Sequence, residues 1–165
     1  MFGNVHTLNL SGYKVSDVSK FGNVHTLDLS WCDNVSDVSK LGGVHTLDLS
    51  WCKVSDVSML GGVHTLNLSG YKVSDVSNLG NVHTLDLSWC YKVSDVSKLG
   101  GVHHLDLSRC DNVSDVSMLG GVHTLNLSEC DNVSDVSKLG GVHTLNLTGC
   151  DKVSDVSKHF FYLFR

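Results

Sequence analysis

The sequence predicts a solenoid, a fold in which short units coil about one axis and stack on their neighbours. First, a unit of 19 or 20 residues repeats along the 165-residue chain, as in residues 24–43, VHTLDLSWCDNVSDVSKLGG. Second, eight copies are present, above the roughly three that such an array needs. Third, a unit this short cannot bury its apolar side alone, so it must do so against adjacent units. The units begin at Val5, Val24, Val44, Val63, Val82, Val102, Val122 and Val142.

Each unit is expected to begin with one β-strand. In the second unit, Leu27-Asp28-Leu29-Ser30 alternates apolar and polar side chains, which is the period of a half-buried strand. Because every lap contributes one such strand in the same direction, the strands are expected to form a parallel sheet.

Tight turns are expected to complete each unit. After Cys32 the apolar residues recur at every third position, at Val35, Val38 and Leu41, which fits a coil and not a long helix. The glycines lie mainly in LGG or LGN corners, where a positive φ or a close backbone approach is expected. The Asp of each SDVS motif is expected to accept backbone N–H groups at a turn in preference to binding calcium. These residues are Asp17, Asp37, Asp56, Asp75, Asp95, Asp115, Asp135 and Asp155.

The pattern V-x-x-L-x-L-x-x-C resembles the leucine-rich repeat, whose signature is L-x-x-L-x-L-x-x-N/C-x-L. The SDVSxL segment resembles the T-D-I-S-x-L segment of internalin-type repeats, and the near identity of the units resembles repeat arrays encoded by giant DNA viruses. The resemblance covers about Val5 to Ser157, and Tyr13 and Tyr71 depart from it where the family has Asn or Cys. It implies an α/β-class right-handed solenoid, with a curved parallel β-sheet on the concave face and short turns or 3₁₀ segments on the convex face.

Three regions are expected: a short lead-in at residues 1–4, eight repeats at residues 5–157 and a hydrophobic C-terminal cap at residues 158–165. Phe160 to Phe164 read as a lid over the last turn in preference to a membrane or partner anchor. The apolar side of the first unit, with Leu8 and Leu10, would meet water, so self-association through this exposed repeat is one open alternative.

Charge and composition exclude several classes of function. The formal net charge is −5 and the lysines are scattered, so no basic stripe is present for nucleic acid. Neither a secretory signal nor an apolar run of the ~20 residues that span a bilayer is found, and a cytoplasmic location without membrane attachment is expected. Ser, His and Asp recur in parallel rows and do not converge on one pocket, so no enzyme is expected.

Six cysteines occupy one place in the unit, where the leucine-rich-repeat resemblance implies an inward side chain that bonds or packs against the turn backbone. Free buried thiols are favoured over disulfides and over zinc, since a ladder presents its sulfurs in a line. They are Cys32, Cys52, Cys90, Cys110, Cys130 and Cys150.

A histidine column stands at the strand entrance. Neighbouring imidazoles could share a divalent metal, but copying of the unit and rung-on-rung stacking explain the column more simply. No metal site and no cofactor is therefore predicted. The column is His6, His25, His45, His64, His83, His103, His123 and His143.

Partner contacts are predicted at the strand exit and on the outward face of the sheet. The position before the Cys or Tyr is the most variable in the unit, and Trp and Arg are frequent partner anchors. Neighbouring carboxylates on the sheet should raise each other's pKa and favour a basic partner. The predicted site residues are Trp31, Trp51, Trp89, Arg109 and Glu129 at the strand exit, and Asp28, Asp48, Asp86 and Asp106 on the sheet.

These features together predict a non-enzymatic module that binds a protein or peptide on its concave face. Two alternatives remain open at this point. One is a self-associating structural element, and the other is a duplicated array without a selected ligand.

Overall fold

Eight strands, one in each unit, form a single parallel sheet in a computed structural model that describes residues 5–70 and 73–154. The strands follow one another in chain order across the sheet, and each pairs with the next at equivalent positions of the repeat, for example Leu27 with Leu47. The chain therefore makes one lap between successive strands, and the predicted leucine-rich-repeat solenoid is confirmed. The strands are β1 (Thr7–Asn9), β2 (Thr26–Asp28), β3 (Thr46–Asp48), β4 (Thr65–Asn67), β5 (Thr84–Asp86), β6 (His104–Asp106), β7 (Thr124–Asn126) and β8 (Thr144–Asn146).

The helical content of the described residues consists of three single 3₁₀ turns, Ser19–Phe21, Ser58–Leu60 and Ser117–Leu119. They lie where the SDVSxL segment was expected to form short turns. None of the helices among residues 5–70 and 73–154 has the length and apolar character needed to cross a bilayer.

The three-residue spacing of apolar residues is a series of tight turns. The backbone N–H of Cys32 bonds to the carbonyl of Leu29, and that of Val35 bonds to the carbonyl of Cys32. Val44 and Leu41 repeat the same contact further along the lap. Each turn directs one apolar side chain inward, and all five residues are fully or almost fully buried. Stacked laps thus build one continuous core of Leu, Val and Cys.

The first glycine of each corner from Gly22 to Gly120 is required by close backbone approach and not by a positive φ. The φ of Gly22 is −60° and that of Gly61 is −62°, which any residue adopts. A Cβ placed on Gly80 would overlap the backbone carbonyl oxygen of Lys98 in the next lap. Of the two reasons expected for these glycines, packing between laps is the operative one.

Some sequence predictions fall outside the described residues. These are the lead-in at 1–4, the cap at 158–165, Tyr71 of the fourth unit and Asp155 of the last.

Candidate functional site

The acidic row on the sheet has a structural role that the sequence analysis missed. Asp28, Asp48, Asp86 and Asp106 each accept a hydrogen bond through Oδ1 from the backbone N–H two residues later, at 2.8–2.9 Å. The Asn residues of the same row accept the equivalent bond. Asn and Asp share this acceptor oxygen, which explains why they interchange here and nowhere else on the strand. The interchange of Asp and Asn at this position was the sequence signal for the structural hydrogen bond.

The other carboxylate oxygens of this row lie on a half-buried, mutually repelling surface. Asp28 pairs with Asp48 across the sheet and Asp86 pairs with Asp106, as predicted. Burial raises the pKa of Asp86, hydrogen bonds from Ser88 oppose the rise, and the charges of Asp106 and Asp48 add to it. Neighbouring carboxylates therefore contribute to the raised pKa of Asp86, after burial.

Asparagines of the same row interrupt these carboxylate runs. Asn9 donates to Asp28 at 2.8 Å, Asn67 to Asp48 at 3.3 Å and Asn126 to Asp106 at 2.9 Å.

The position just beyond each strand has a positive φ in all eight units. We call these residues the rim column. Trp31, Trp51, Trp89, Arg109 and Glu129 have φ between 58° and 65°, whereas the glycine members have φ of 72°, 131° and 77°. This left-handed conformation costs a non-glycine residue roughly 1–2 kcal/mol. The occurrence of Gly in three units was the sequence signal for it. The rim column is Gly12, Trp31, Trp51, Gly70, Trp89, Arg109, Glu129 and Gly149.

Rim-column side chains contact one another from lap to lap. The rings of Trp31 and Trp51 stack with centroids 5.1 Å apart and an interplanar angle of 10°. The Arg109 guanidinium lies 4.2 Å from the centre of the Trp89 ring and forms an ion pair with Glu129. Trp31 remains 60% exposed and Trp89 41% exposed.

A groove of about 520 Å³ opens along the rim of the last four laps. It contains four carboxylates and one guanidinium, so its net charge is negative. Trp89 and Tyr91 supply its aromatic surface, and both rings are 41% exposed. Sequence analysis identified Trp89, Arg109 and Glu129 as site residues. It missed Tyr91 and the three aspartates, because they lie in a column of turn residues that varies between Asp, Tyr and Lys. The lining residues are Trp89, Tyr91, Arg109, Asp111, Glu129, Asp131, Gly149 and Asp151.

The cysteine column is confirmed as six buried free thiols. Each thiol donates to the carbonyl of a leucine in the preceding lap, for example Cys130 to Leu107 at 3.0 Å. Burial raises the pKa of Cys90 to about 12, so this thiol stays protonated and unreactive at neutral pH.

The turn aspartates also behave as predicted. In seven SDVS motifs the Asp accepts the backbone N–H of the Ser two residues later, at 2.8–3.0 Å. These hydrogen bonds from the serines lower the pKa of Asp37 and Asp75, among others. The carboxylates therefore cap turns.

The histidine column stacks from rung to rung, with ring centroids 4.4–4.8 Å apart. Six of its histidines also place Nδ1 within 3.3–3.4 Å of the hydroxyl of the following Thr. Stacking and this contact account for the regular spacing of the column.

Comparisons with known proteins agree with this geometry. A family model described as Leucine Rich repeat matches residues 44–60. Among solved structures, an internalin (inlF) from Listeria monocytogenes str. 4b F2365 superposes with a TM-score of 0.71 at 23% identity, covering 89% of this chain and 48% of that one. The functional domain of InlJ from Listeria monocytogenes, described as including a cysteine ladder, gives a TM-score of 0.66 at 22% identity over 90% of this chain and 36% of that one.

Internalin C2 (inlC2) from the same Listeria strain as inlF gives a TM-score of 0.56 at 24% identity, over 89% of this chain and 64% of that one. The chain thus spans less than two thirds of each of these internalin structures. No curated protein matches the sequence. The structures show that the chain shares the leucine-rich-repeat fold.

Proposed function

We propose that this leucine-rich-repeat solenoid is a non-enzymatic module that binds a basic protein or peptide along its rim column and the adjoining concave sheet face. The observation that carries the proposal is the choice of residues at the rim column. Gly12 and Gly149 adopt nearly the same backbone conformation at no steric cost, yet five units carry Trp, Arg or Glu there. Large side chains at a strained backbone position indicate a function other than stabilising the fold.

Trp31, Trp51 and Trp89 would supply the apolar contacts. Trp combines a large apolar surface with little rotamer freedom to lose, which is why it is frequent among partner-binding anchors. Of the large apolar side chains that are exposed in the described residues, Tyr13, Trp31, Trp89 and Tyr91 lie at or next to the rim, whereas Met59 and Met118 lie on the turns. Aromatic exposure is thus concentrated on one edge.

Charge selects the class of partner. The groove beside Trp89 includes Glu129, Asp111, Asp131 and Asp151, and its one cation, Arg109, is already paired with Glu129. The sheet carboxylates of Asp28, Asp48, Asp86 and Asp106 extend the negative surface toward the strands. A segment with Lys or Arg beside an apolar residue complements both features.

An intracellular, reducing setting is part of the proposal, as is the relationship to viral repeat arrays. Six free thiols support the first. The near identity of the units supports the second.

Selection of peptides from a random library for binding to the full chain tests the binding role. Enriched peptides are expected to combine basic and apolar residues, and their affinity should fall at least about tenfold for Trp89→Gly, a loss of roughly 1.4 kcal/mol. Gly leaves the backbone conformation available, as it does at Gly149. The affinity should also fall with added salt.

Met59→Lys is the matched control, because Met59 is 61% exposed on a turn where other units carry Lys. It should leave peptide affinity unchanged. Enriched peptides without a basic bias, or affinities equal for Trp89→Gly and wild type, would contradict the proposal. Binding confined to a second copy of the chain, seen as concentration-dependent mass in light scattering, would favour the self-associating alternative.

A further inference from the structure

The histidine column is doubled at one rung. Seven strands begin with Thr, whereas β6 begins with His104. The ring of His104 lies 4.4 Å from that of His103 and 5.5 Å from that of His83, at interplanar angles of 69° and 63°. One ligand nitrogen from each of these three residues lies within 4.8 Å of the other two. Three imidazoles converge here, while the rest of the column presents a line of rings with interplanar angles of 9–31°.

We propose that His83, His103 and His104 together bind one divalent transition-metal ion, with Zn²⁺ as the reference ion. Imidazole nitrogen suits Zn²⁺, Cu²⁺ and Ni²⁺, and three histidines with one open position form a known type of zinc site. The site lies on the sheet face that carries Asp106, but zinc binding is measured without peptide, so either proposal can fail without the other.

The required movement is small. Zn–N bonds of about 2.0–2.1 Å in tetrahedral geometry place the ligand nitrogens about 3.4 Å apart. Separations of up to 4.8 Å must therefore close by roughly 1.4 Å. His83 and His103 are exposed and His104 is half-buried, so rotation about their side-chain bonds can supply this change without moving the backbone.

A neighbouring hydroxyl orients one of the three imidazoles. Nδ1 of His83 lies 3.3 Å from the Thr84 hydroxyl, which orients the ring and leaves Nε2 for a metal. His103 is followed by His104, whereas every other histidine of the column is followed by Thr.

Few other side chains could compete with these histidines for the metal ion. Among residues 5–70 and 73–154, these three histidines form the one group of at least three His, Cys, Asp or Glu side chains close enough to share an ion. The thiols lie in the core, where burial holds Cys90 and Cys130 protonated with pKa values of about 12.

Isothermal titration calorimetry of ZnCl₂ into the full chain, near neutral pH in reducing buffer, tests the site. One Zn²⁺ per chain is expected to bind. His104→Thr should weaken binding at least about tenfold, because even outer-shell substitutions have effects of that size. This variant restores the residue that the other seven strands carry, so it should fold normally, as circular dichroism will verify.

His25→Asn is the matched control, because it removes an imidazole from the same column three rungs away. It should leave zinc binding unchanged. Adding Thr65→His to the His104→Thr chain places a third imidazole beside His45 and His64, and a regained equivalent of zinc would support the proposal. Equal zinc affinity for His104→Thr and wild type would overturn it, as would equal losses in His104→Thr and His25→Asn.

Discussion

Replacement of Trp31 by Gly and by Ala separates backbone strain from side-chain contact. Trp31 has a φ of 60°, a conformation that costs residues with a Cβ roughly 1–2 kcal/mol. Gly avoids that cost but loses more backbone freedom on folding than Ala, by about 0.4–1 kcal/mol. Both variants lose the stack with Trp51, so that contribution cancels. Trp31→Gly should therefore be more stable than Trp31→Ala by about 0–1.6 kcal/mol, centred near ~0.8 kcal/mol.

Urea unfolding followed by circular dichroism measures this difference in the free energy of unfolding. Because repeat arrays can unfold in parts, the comparison requires equal m-values for the two variants. The same pair of substitutions at Thr84, in extended strand β5, is the control, and there Gly should be less stable than Ala by about 0.5–1 kcal/mol. Finding Trp31→Gly less stable than Trp31→Ala would refute the assignment of strain to the rim column.

Two further predictions concern the corners and the response to acid. Gly80→Ala should lower the free energy of unfolding by about 1–3 kcal/mol, because the new Cβ overlaps the Lys98 carbonyl. The control is Gly43→Asn, which introduces the residue that two other units carry and should lower the free energy of unfolding less in the same urea assay. Equal losses for the two variants would contradict the packing argument. The lowered pKa values of His25 and His103 make the unfolded chain the better proton acceptor, so stability should fall as pH drops below about 6.5. Stability should fall again below about pH 3.8, the ordinary pKa of Asp. Turn aspartates such as Asp95 have a lower pKa in the folded chain, so the unfolded chain takes up protons first. Asp95→Asn keeps the acceptor oxygen without the charge and should reduce this second loss, and flat stability from neutral pH to pH 3 would refute both assignments.

Sequence patterns predicted the repeat, the strands and the inward columns because these depend on spacing within one lap. Cys32 and Leu29 are three residues apart, and the turn that joins them directs both inward wherever the unit recurs. The Trp31–Trp51 stack was predictable for the same reason, since equivalent residues of adjacent laps lie one strand spacing apart.

The candidate site was only partly predictable. Its Trp, Arg and Glu members stood out by variation, but their positive φ did not, even though Gly12 and Gly70 occupy the same place. The Asp row was interpreted as partner-binding surface, and its hydrogen bonds to the strand-exit backbone emerged only from the turn geometry. Turn conformation depends on where the chain must go next, which the local residue types leave open.

Periodicity alone determined which residues share an environment, because in a stacked array every copy of a position meets the same neighbours. Tertiary structure decided what those columns form across laps: the acidic groove beside Trp89, the fit of Gly80 against Lys98 and the convergence of His104 with His83 and His103. These contacts join residues about twenty positions apart whose distances depend on the exit direction of each strand and on the rotamers at each rung. Both of these depend on the packing of neighbouring laps and cannot be read from the unit itself.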